Sequence, residues 1–288
     1  MLAAPHVQHF YHAETGTLSY VVSDPASRDA AVVDPVLGLD IASGRTDDSQ
    51  VADILQYLGA EQLKLRWILE THAHADHLSG AQPVKARAGG SVAIGAGICD
   101  VQEYFAKIFN LQKSFRADGH QFDKLLLVDE EFAIGELRCR VIPTPGHTSD
   151  SVTYLIGDAA FVGDSLFMPD AGTARCDFPG GDAGVLYDSI QRLFALPPDT
   201  RLFVCHDYQP DGRELRFQTT IAEQAAHNIH VGKSRTRDDF IALRERRDAT
   251  LQLPRLIIPS IQVNIRAGRL PAAENNEVSY LKIPINHF

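Results

Sequence analysis

Seven consecutive residues, Thr71-His72-Ala73-His74-Ala75-Asp76-His77, carry three imidazoles and one carboxylate. Further along stand His147 in a Pro-Gly turn, Asp164 after a hydrophobic run, and His206 directly after Cys205. Neutral imidazole and carboxylate are the donors that hold zinc or iron at neutral pH, and packing alone gives no reason to crowd them. These residues read as metal ligands. Side chains alternate along extended chain, so His72 and His74 point the same way and can reach one metal. Asp76 and His77 are adjacent and share a direction only where the backbone turns, which aims them at a second position. Asp164 has two oxygens and can bridge. With His147 at the first position and His206 at the second, the spacing allows a two-metal site of the kind that clamps a hydroxide and stabilises an oxyanion. The other histidines, His6, His9, His12, His120, His227, His230 and His287, have no such context and read as ordinary surface or core residues.

Each ligand needs a rigid element behind it, and the chain supplies strand-like runs in the right places. Leu18–Val22 and Ala30–Val33 read as a hairpin across the polar turn Ser23–Ser27, and Leu65–Leu69 reads as a buried strand ending at the His cluster. Ser49–Leu58 has helical spacing with Ser49 as its N-cap; Gly80–Ala88 and Val101–Phe109 read as further helices around a strand at Ser91–Ile94. Phe132–Ile134, Leu137–Ile142, Val152–Ile156 and Ala159–Val162 are separated by Gly or Pro turns, which implies antiparallel pairing. A helix over Gly184–Leu196 and a strand over Arg201–Cys205 deliver His206. Helices are expected around Glu214–His227 and Thr236–Arg247, the latter capped by Thr236 with Asp239 three residues on. The tail Leu253–Phe288 reads as extended. With no repeat, low-complexity tract or linker, the expectation is one domain over 1–288, in which 209–288 forms C-terminal helices and a tail packed on the body.

Hydrophobic residues make up 44% of the 288, enough for a layered interior. A formal charge of -10 without any Lys/Arg-rich run argues against nucleic acid and anionic membrane. No stretch approaches the ~20 apolar residues of a membrane span, and the first residues lack the pattern of a secretory signal. Cys99, Cys139, Cys176 and Cys205 form no Cys-x-x-Cys pair, which suits a reducing compartment; the expected location is the cytoplasm. Cys139 reads as a half-buried strand residue, and Cys205 as an inert buried thiol, with an oxidisable or persulfide-accepting thiol as its alternative.

His72-Ala73-His74-Ala75-Asp76-His77, Thr144-Pro145-Gly146-His147-Thr148, Gly163-Asp164-Ser165-Leu166-Phe167 and Cys205-His206-Asp207-Tyr208 together resemble the metallo-β-lactamase superfamily, in that family's order. The resemblance implies an α/β fold, a four-layer αββα sandwich with the metal at one sheet edge. Within the superfamily, Thr71–Gly80, Gly172–Phe178, His206-Asp207-Tyr208 and Val263–Gly268 are most similar to persulfide dioxygenases, the sulfur-oxidising group that includes the ethylmalonic encephalopathy protein. Ala174 and Cys176 depart from the Gly-Arg-Thr-Asp-Phe run usual there.

That resemblance implies one Fe(II) per chain on His72, His147 and Asp164, with His74, Asp76, His77 and His206 around it. Asp76, His77 and His206 are then the catalytic candidates, orienting waters and ligand imidazoles. Two His and one carboxylate leave adjacent positions open on an octahedral ion, as in non-haem iron oxygenases. The implied reaction consumes glutathione persulfide, O2 and water and yields glutathione and sulfite. Arg175 is the candidate for a glutathione carboxylate, its alternative being an ion pair with Asp177, and Tyr208 is a candidate cleft residue. A homodimer and a functional link to a sulfurtransferase are expectations at the level of the family. The competing expectation is a thioester hydrolase of the glyoxalase II kind with two Zn(II) per chain, since all seven ligand-type residues are present. A β-lactamase or a non-enzymatic binding module ranks below both.

Overall fold

The computed structural model describes residues 4–111, 114–233 and 235–287. In chain order the first elements are β1 (His6–His12), β2 (Thr17–Ser23), β3 (Asp29–Val33), β4 (Val36–Asp40), β5 (Arg45–Asp47), α1 (Ser49–Ala60), β6 (Lys64–Glu70), β7 (Leu78–Ser79), α2 (Ala81–Ala88), β8 (Ser91–Gly95), α3 (Ile98–Ile108) and β9 (Lys124–Leu126). Then follow β10 (Glu131–Ile134), β11 (Leu137–Pro143), β12 (Val152–Ile156), β13 (Ala159–Phe161), α4 (Ala183–Phe194), β14 (Arg201–Phe203), β15 (Gln218–Thr220), α5 (Ile221–His227), α6 (Arg237–Asp248) and α7 (Ile257–Asn264).

Two six-stranded sheets result, ordered β1-β2-β3-β6-β8-β9 and β10-β11-β12-β13-β14-β15, with a small sheet β5-β4-β7 beside them. The period-two alternation of the strands decides what lies on each face. Val21, Val32 and Ile68 of the first sheet point outward onto Val51 and Ile54 of α1, Val84 of α2 and Phe105 of α3. Their neighbours Tyr20, Val33 and Leu69 point inward onto Val141, Tyr154 and Phe161 of the second sheet. Leu186 and Ile190 of α4 and Phe240 of α6 join that second core. The layers therefore run helix, sheet, sheet, helix. Each such buried side chain contributes about 1.5–3 kcal/mol, which makes the two cores rigid supports for the loops at the sheet ends.

Those loops carry the ligands. His72 follows β6, His147 follows β11, Asp164 sits in a 3-10 turn (Gly163–Ser165) just past β13, and His206 follows β14. Two glycines make the turns feasible. Gly146 (φ +135) lies so close to α4 that a Cβ would overlap the Leu186 backbone, and Gly163 (φ +51) lies against Thr71. Leu18 donates to the Cys205 carbonyl at 2.7 Å and Thr17 forms a bridge with His206, so the two sheets are tied together beside the site.

The strands expected from Leu18 to Val162 are present, and β10 to β13 pair antiparallel. Several details differ. The β1 strand was not expected, because three imidazoles disguise its alternation; it pairs with β2 along its whole length. Asp48, not Ser49, occupies the N-cap of α1, and Ser49 instead donates its amide to Asp47. The helix expected from Glu214 begins only at Ile221, because Gln218–Thr220 extends the second sheet as β15 and Thr220 caps α5. Thr236 caps α6, as expected, by accepting from Asp239 N. The tail expected to be extended from Leu253 contains α7, whose Pro259 falls in the first turn where no amide proton is needed. Phe288, the end of that tail, lies outside the described residues. Cys139 is fully buried rather than half-buried, with the charged Arg138 and Arg140 side chains turned the other way.

Candidate metal centre

Every histidine of the cluster has one ring nitrogen held by the protein, and that bond sets which nitrogen keeps a lone pair. His147 Nδ1 lies 2.7 Å from the Arg175 carbonyl, which can only accept, so the proton is on Nδ1 and Nε2 is free. His77 Nδ1 donates to the Leu78 carbonyl and His206 Nδ1 to the Gly16 carbonyl, with the same consequence. His72 Nδ1 lies 3.0 Å from Thr71 Oγ1, whose own proton goes to Asp34 Oδ2 at 2.8 Å, so that oxygen accepts from the ring. His74 is turned the other way. Its Nε2 faces Asp34 Oδ1 at 3.0 Å and Glu70 Oε2 at 3.5 Å, which leaves Nδ1 to point inward.

The inward atoms lack protein partners. His72 Nε2, His74 Nδ1, His77 Nε2, His206 Nε2, Asp76 Oδ2 and Asp164 Oδ1 are all buried without a hydrogen bond. Buried polar atoms left in this state are costly, and a concentration of metal-ligand atoms without protein partners is what metal binding explains. The donor set, five imidazoles and two carboxylates, suits Zn(II) or Fe(II). His72, His147 and Asp164 present donors within 4.8 Å of one another, and His74, Asp76 and His77 form a second such group. Asp164 faces both sides. Its Oδ2 is 3.5 Å from His147 Nε2 and 4.0 Å from His72 Nε2, while its Oδ1 is 3.3 Å from His206 Nε2.

The electrostatics of the metal-free protein fit the same picture. Burial, reinforced by His74 and His147, pushes His72 well below its ordinary value. Burial likewise brings His77 down to about 3 against the pull of Asp76. Asp76 is held at about 2: burial works against ionisation, and the neighbouring His206 and His77 outweigh it. His74 goes the other way, because Asp34 and Glu70 overcome its burial; a metal bound at Nδ1 would have to displace a proton there.

Three residues that sequence reasoning gave no role hold the ligand loop. Asp34, at φ +48 just past β3, accepts from Thr71 N at 2.7 Å as well as from Thr71 Oγ1 and His74. Glu70 bonds Ser79 and faces His74. Asn264 of α7 donates to the carbonyls of His74 and His77 and accepts from Ser79 N. The signal for Asp34 was an Asp-Pro step directly after a β-branched strand; for Asn264, distant by some 190 positions, only its place in the quoted Val263–Gly268 stretch.

A cleft of about 360 Å³ opens over the centre, bordered by Asp76, His147 and Asp164 and walled by Phe167, Phe178 and Tyr208. Tyr208 stacks on His206, with ring centroids 5.5 Å apart and planes within 4°. Arg175 also lines this cleft, but each of its three guanidinium nitrogens already has a partner: two grip Asp177 at 2.6 and 2.7 Å and the third donates to the Gln252 carbonyl. Cys205 is buried with its thiol toward Asp34, and burial pushes both it and Cys176 up, Cys176 to about 12, so neither favours a reactive thiolate.

The metallo-beta-lactamase superfamily model matches residues 13–206, a span that contains all seven donors. The chain belongs to the metallo-beta-lactamase superfamily. Its mixed α/β architecture is the metallo-beta-lactamase fold in its αββα arrangement. Among superfamily relatives, a probable metallo-hydrolase of Burkholderia pseudomallei is 48% identical over 97% of this chain and 99% of its own. Glyoxylase B2 of Dictyostelium discoideum is also 48% identical, over 98% of this chain and 97% of its own. The mitochondrial persulfide dioxygenase ETHE1 of Mus musculus is 26% identical over 91% of this chain and 88% of its own. Among solved structures, ETHE1 from Myxococcus xanthus superimposes with a TM-score of 0.72 at 31% identity, covering 92% of this chain and all of that one. No helix among the described residues is long and apolar enough to cross a membrane.

Proposed function

We propose that this metallo-beta-lactamase-fold protein is a non-haem Fe(II) persulfide dioxygenase that converts glutathione persulfide, O2 and water into glutathione, sulfite and two protons. The observation that carries this reading is the convergence of His72, His147 and Asp164, two imidazoles and one carboxylate, at the floor of the cleft. The likeness to ETHE1 over nearly the whole chain supports it. Fe(II) held by these residues would supply the redox chemistry that joins O2 to a sulfane sulfur.

The chain's own residues do the rest. His72 and His147 would hold the ion through Nε2, the ring atom each leaves free, together with the Asp164 carboxylate. Asp76 and His206, 3.3 Å apart on the other side of Asp164, would orient the water, and the free His206 Nε2 rather than the strongly acidic Asp76 would pass released protons toward solvent. Phe167 and Phe178 keep bulk water from the sulfur, and Tyr208 borders its path. Arg175 remains part of the cleft wall, engaged with Asp177. Arg247 of α6 is the better partner for a substrate carboxylate: it lines the same cleft, is exposed, and makes no side-chain hydrogen bond or ion pair among the described residues. Residues 1–288 are read as one domain, because α6 and α7, beyond residue 208, wall the cleft and hold the ligand loop.

A second reading has its own supporting observation. His74, Asp76 and His77 form a second donor group, with His206 Nε2 3.3 Å from both Asp76 Oδ2 and Asp164 Oδ1, an arrangement that suits two Zn(II) and a thioester hydrolase of the glyoxalase II kind. Metal content after anaerobic purification, followed by O2 uptake with glutathione persulfide beside hydrolysis of S-lactoylglutathione, decides between them. One iron per chain with O2 uptake supports the dioxygenase. Two zinc ions with thioester cleavage and no O2 uptake overturn it.

A further inference from the structure

The segment between Phe167 and Cys176 has no regular structure, yet it carries the carbonyl that fixes the His147 tautomer. Its backbone is held from outside, by buried polar side chains of the chain after β15. Gln224 donates to the Phe167 carbonyl at 2.7 Å and Asn228 to the Gly172 carbonyl at 3.0 Å. His230 Nδ1 accepts from Thr173 N at 2.9 Å. Arg244 Nη1 donates to the Thr173 carbonyl at 3.1 Å, and Asp248 Oδ2 accepts from Cys176 N at 2.9 Å. Thr173 and Cys176 flank Arg175, whose carbonyl meets His147.

Arg244 and Asp248 sit one turn apart on α6 and bond to each other through Arg244 Nη2 and Asp248 Oδ1. Both are almost fully buried, at 1% and 5% exposure. A buried ion pair is weak evidence for stability, since apolar residues of similar volume often serve as well. Its retention here is explained by what its remaining atoms do. The carboxylate holds the amide of the peptide unit that carries the Arg175 carbonyl, and the guanidinium holds the Thr173 carbonyl, one peptide unit further from Arg175 than its immediate neighbour.

We propose that Arg244 and Asp248 are positioning residues that set the orientation and tautomer of His147 through the Arg175 carbonyl, and so tune metal affinity at the His72–His147–Asp164 side of the site. The chain is Asp248 to Cys176 N, Arg244 to the Thr173 carbonyl, Arg175 O to His147 Nδ1, and His147 Nε2 to the metal. It rests on the superfamily's metal site and holds for iron or zinc alike, so it stands or falls independently of the proposed reaction.

The test uses the full chain, stripped of metal and titrated with Co(II), whose visible absorption reports ligand geometry. Asp248→Ala is expected to lower Co(II) affinity by about 10–100-fold, the usual effect of removing a partner behind a ligand, and to alter the absorption bands. In metal-free protein, ¹⁵N-edited spectra are expected to show His147 protonated at Nδ1 in the native chain and to gain an Nε2-protonated population in the variant. Asp248→Asn preserves volume and leaves an oxygen for Cys176 N, so its affinity is expected to lie between the two; it also covers the case in which the alanine variant does not fold. A merely structural role lowers the unfolding temperature and moves neither affinity nor tautomer. Folded variants that bind Co(II) within twofold of the native chain, with His147 still protonated at Nδ1, overturn the proposal.

Discussion

At the scale of single residues, the centre is built from side chains with one atom committed to the protein and one turned inward. Among the described residues Asp164 is the carboxylate that faces both sides, so its removal costs more than loss of an outer partner. Asp164→Ala is expected to lose stoichiometric iron and to reduce O2 uptake by more than the ~100-fold typical of an outer partner; a variant with full iron content and uptake refutes the assignment. Arg247 and Arg175 separate by kinetics. Arg247→Ala removes a free cation from the cleft mouth, so KM for glutathione persulfide is expected to rise several-fold with kcat unchanged. Arg175→Ala strands Asp177 and loosens the segment that holds His147, so kcat is expected to fall as well. Steady-state O2 uptake measures both, and equal, unchanged KM values would remove Arg247 from the substrate site.

At the scale of elements, the least legible part of the chain did much of the positioning. The short helix α7 brings Asn264 to the underside of the ligand loop, where one amide serves three backbone groups. Asn264→Ala leaves two carbonyls and an amide buried without partners, an expected loss of about 2–4 kcal/mol in urea unfolding. Asn264→Asp puts an acceptor against the same two carbonyls, so its deficit is expected to be larger at neutral pH than in acid, where a protonated carboxyl can donate. Equal deficits at both pH values would show that the carbonyl contacts do not matter. Strand periodicity exposed β2, β3, β6 and β11 to β13 in the sequence, because their β-branched residues alternate toward two cores. It failed at β1, where imidazoles sit among the apolar positions, and at β15, where three residues only become a strand because β14 offers an edge.

At the scale of the whole molecule, metal and pH act on stability together. A ligand bound only by the native state at ~1,000 times its Kd adds about 4 kcal/mol, so chelation is expected to lower the unfolding temperature by about 7 °C in a chain of this size. Calorimetry with and without chelator measures this, and an unchanged midpoint argues that the donors hold no metal. In metal-free protein, burial and the nearby Arg244 bring His230 down to about 3 from an ordinary 6.5. Below pH 6.5 the unfolded chain therefore takes a proton that the native one refuses. Stability from this group is complete above 6.5 and falls as pH falls toward 3, since the unfolded state binds more protons across that window. His230→Asn keeps an acceptor near the Nδ1 position and cannot titrate, so its stability is expected to decline less steeply between pH 6 and 4; identical slopes would exclude His230 as a contributor. The sequence by itself determined the donor residues and the family resemblance, because ligand chemistry depends on residue type and on short spacing along a loop. Only the tertiary structure decided the rest: that Asp34 and Asn264 hold the ligand loop, that Arg175 is bound to Asp177 while Arg247 bonds no side-chain partner among the described residues, and that α6 grips the segment behind His147. Those contacts join residues up to 190 positions apart. Such pairings are set by how two sheets and their helices pack, and packing leaves no local pattern in the chain.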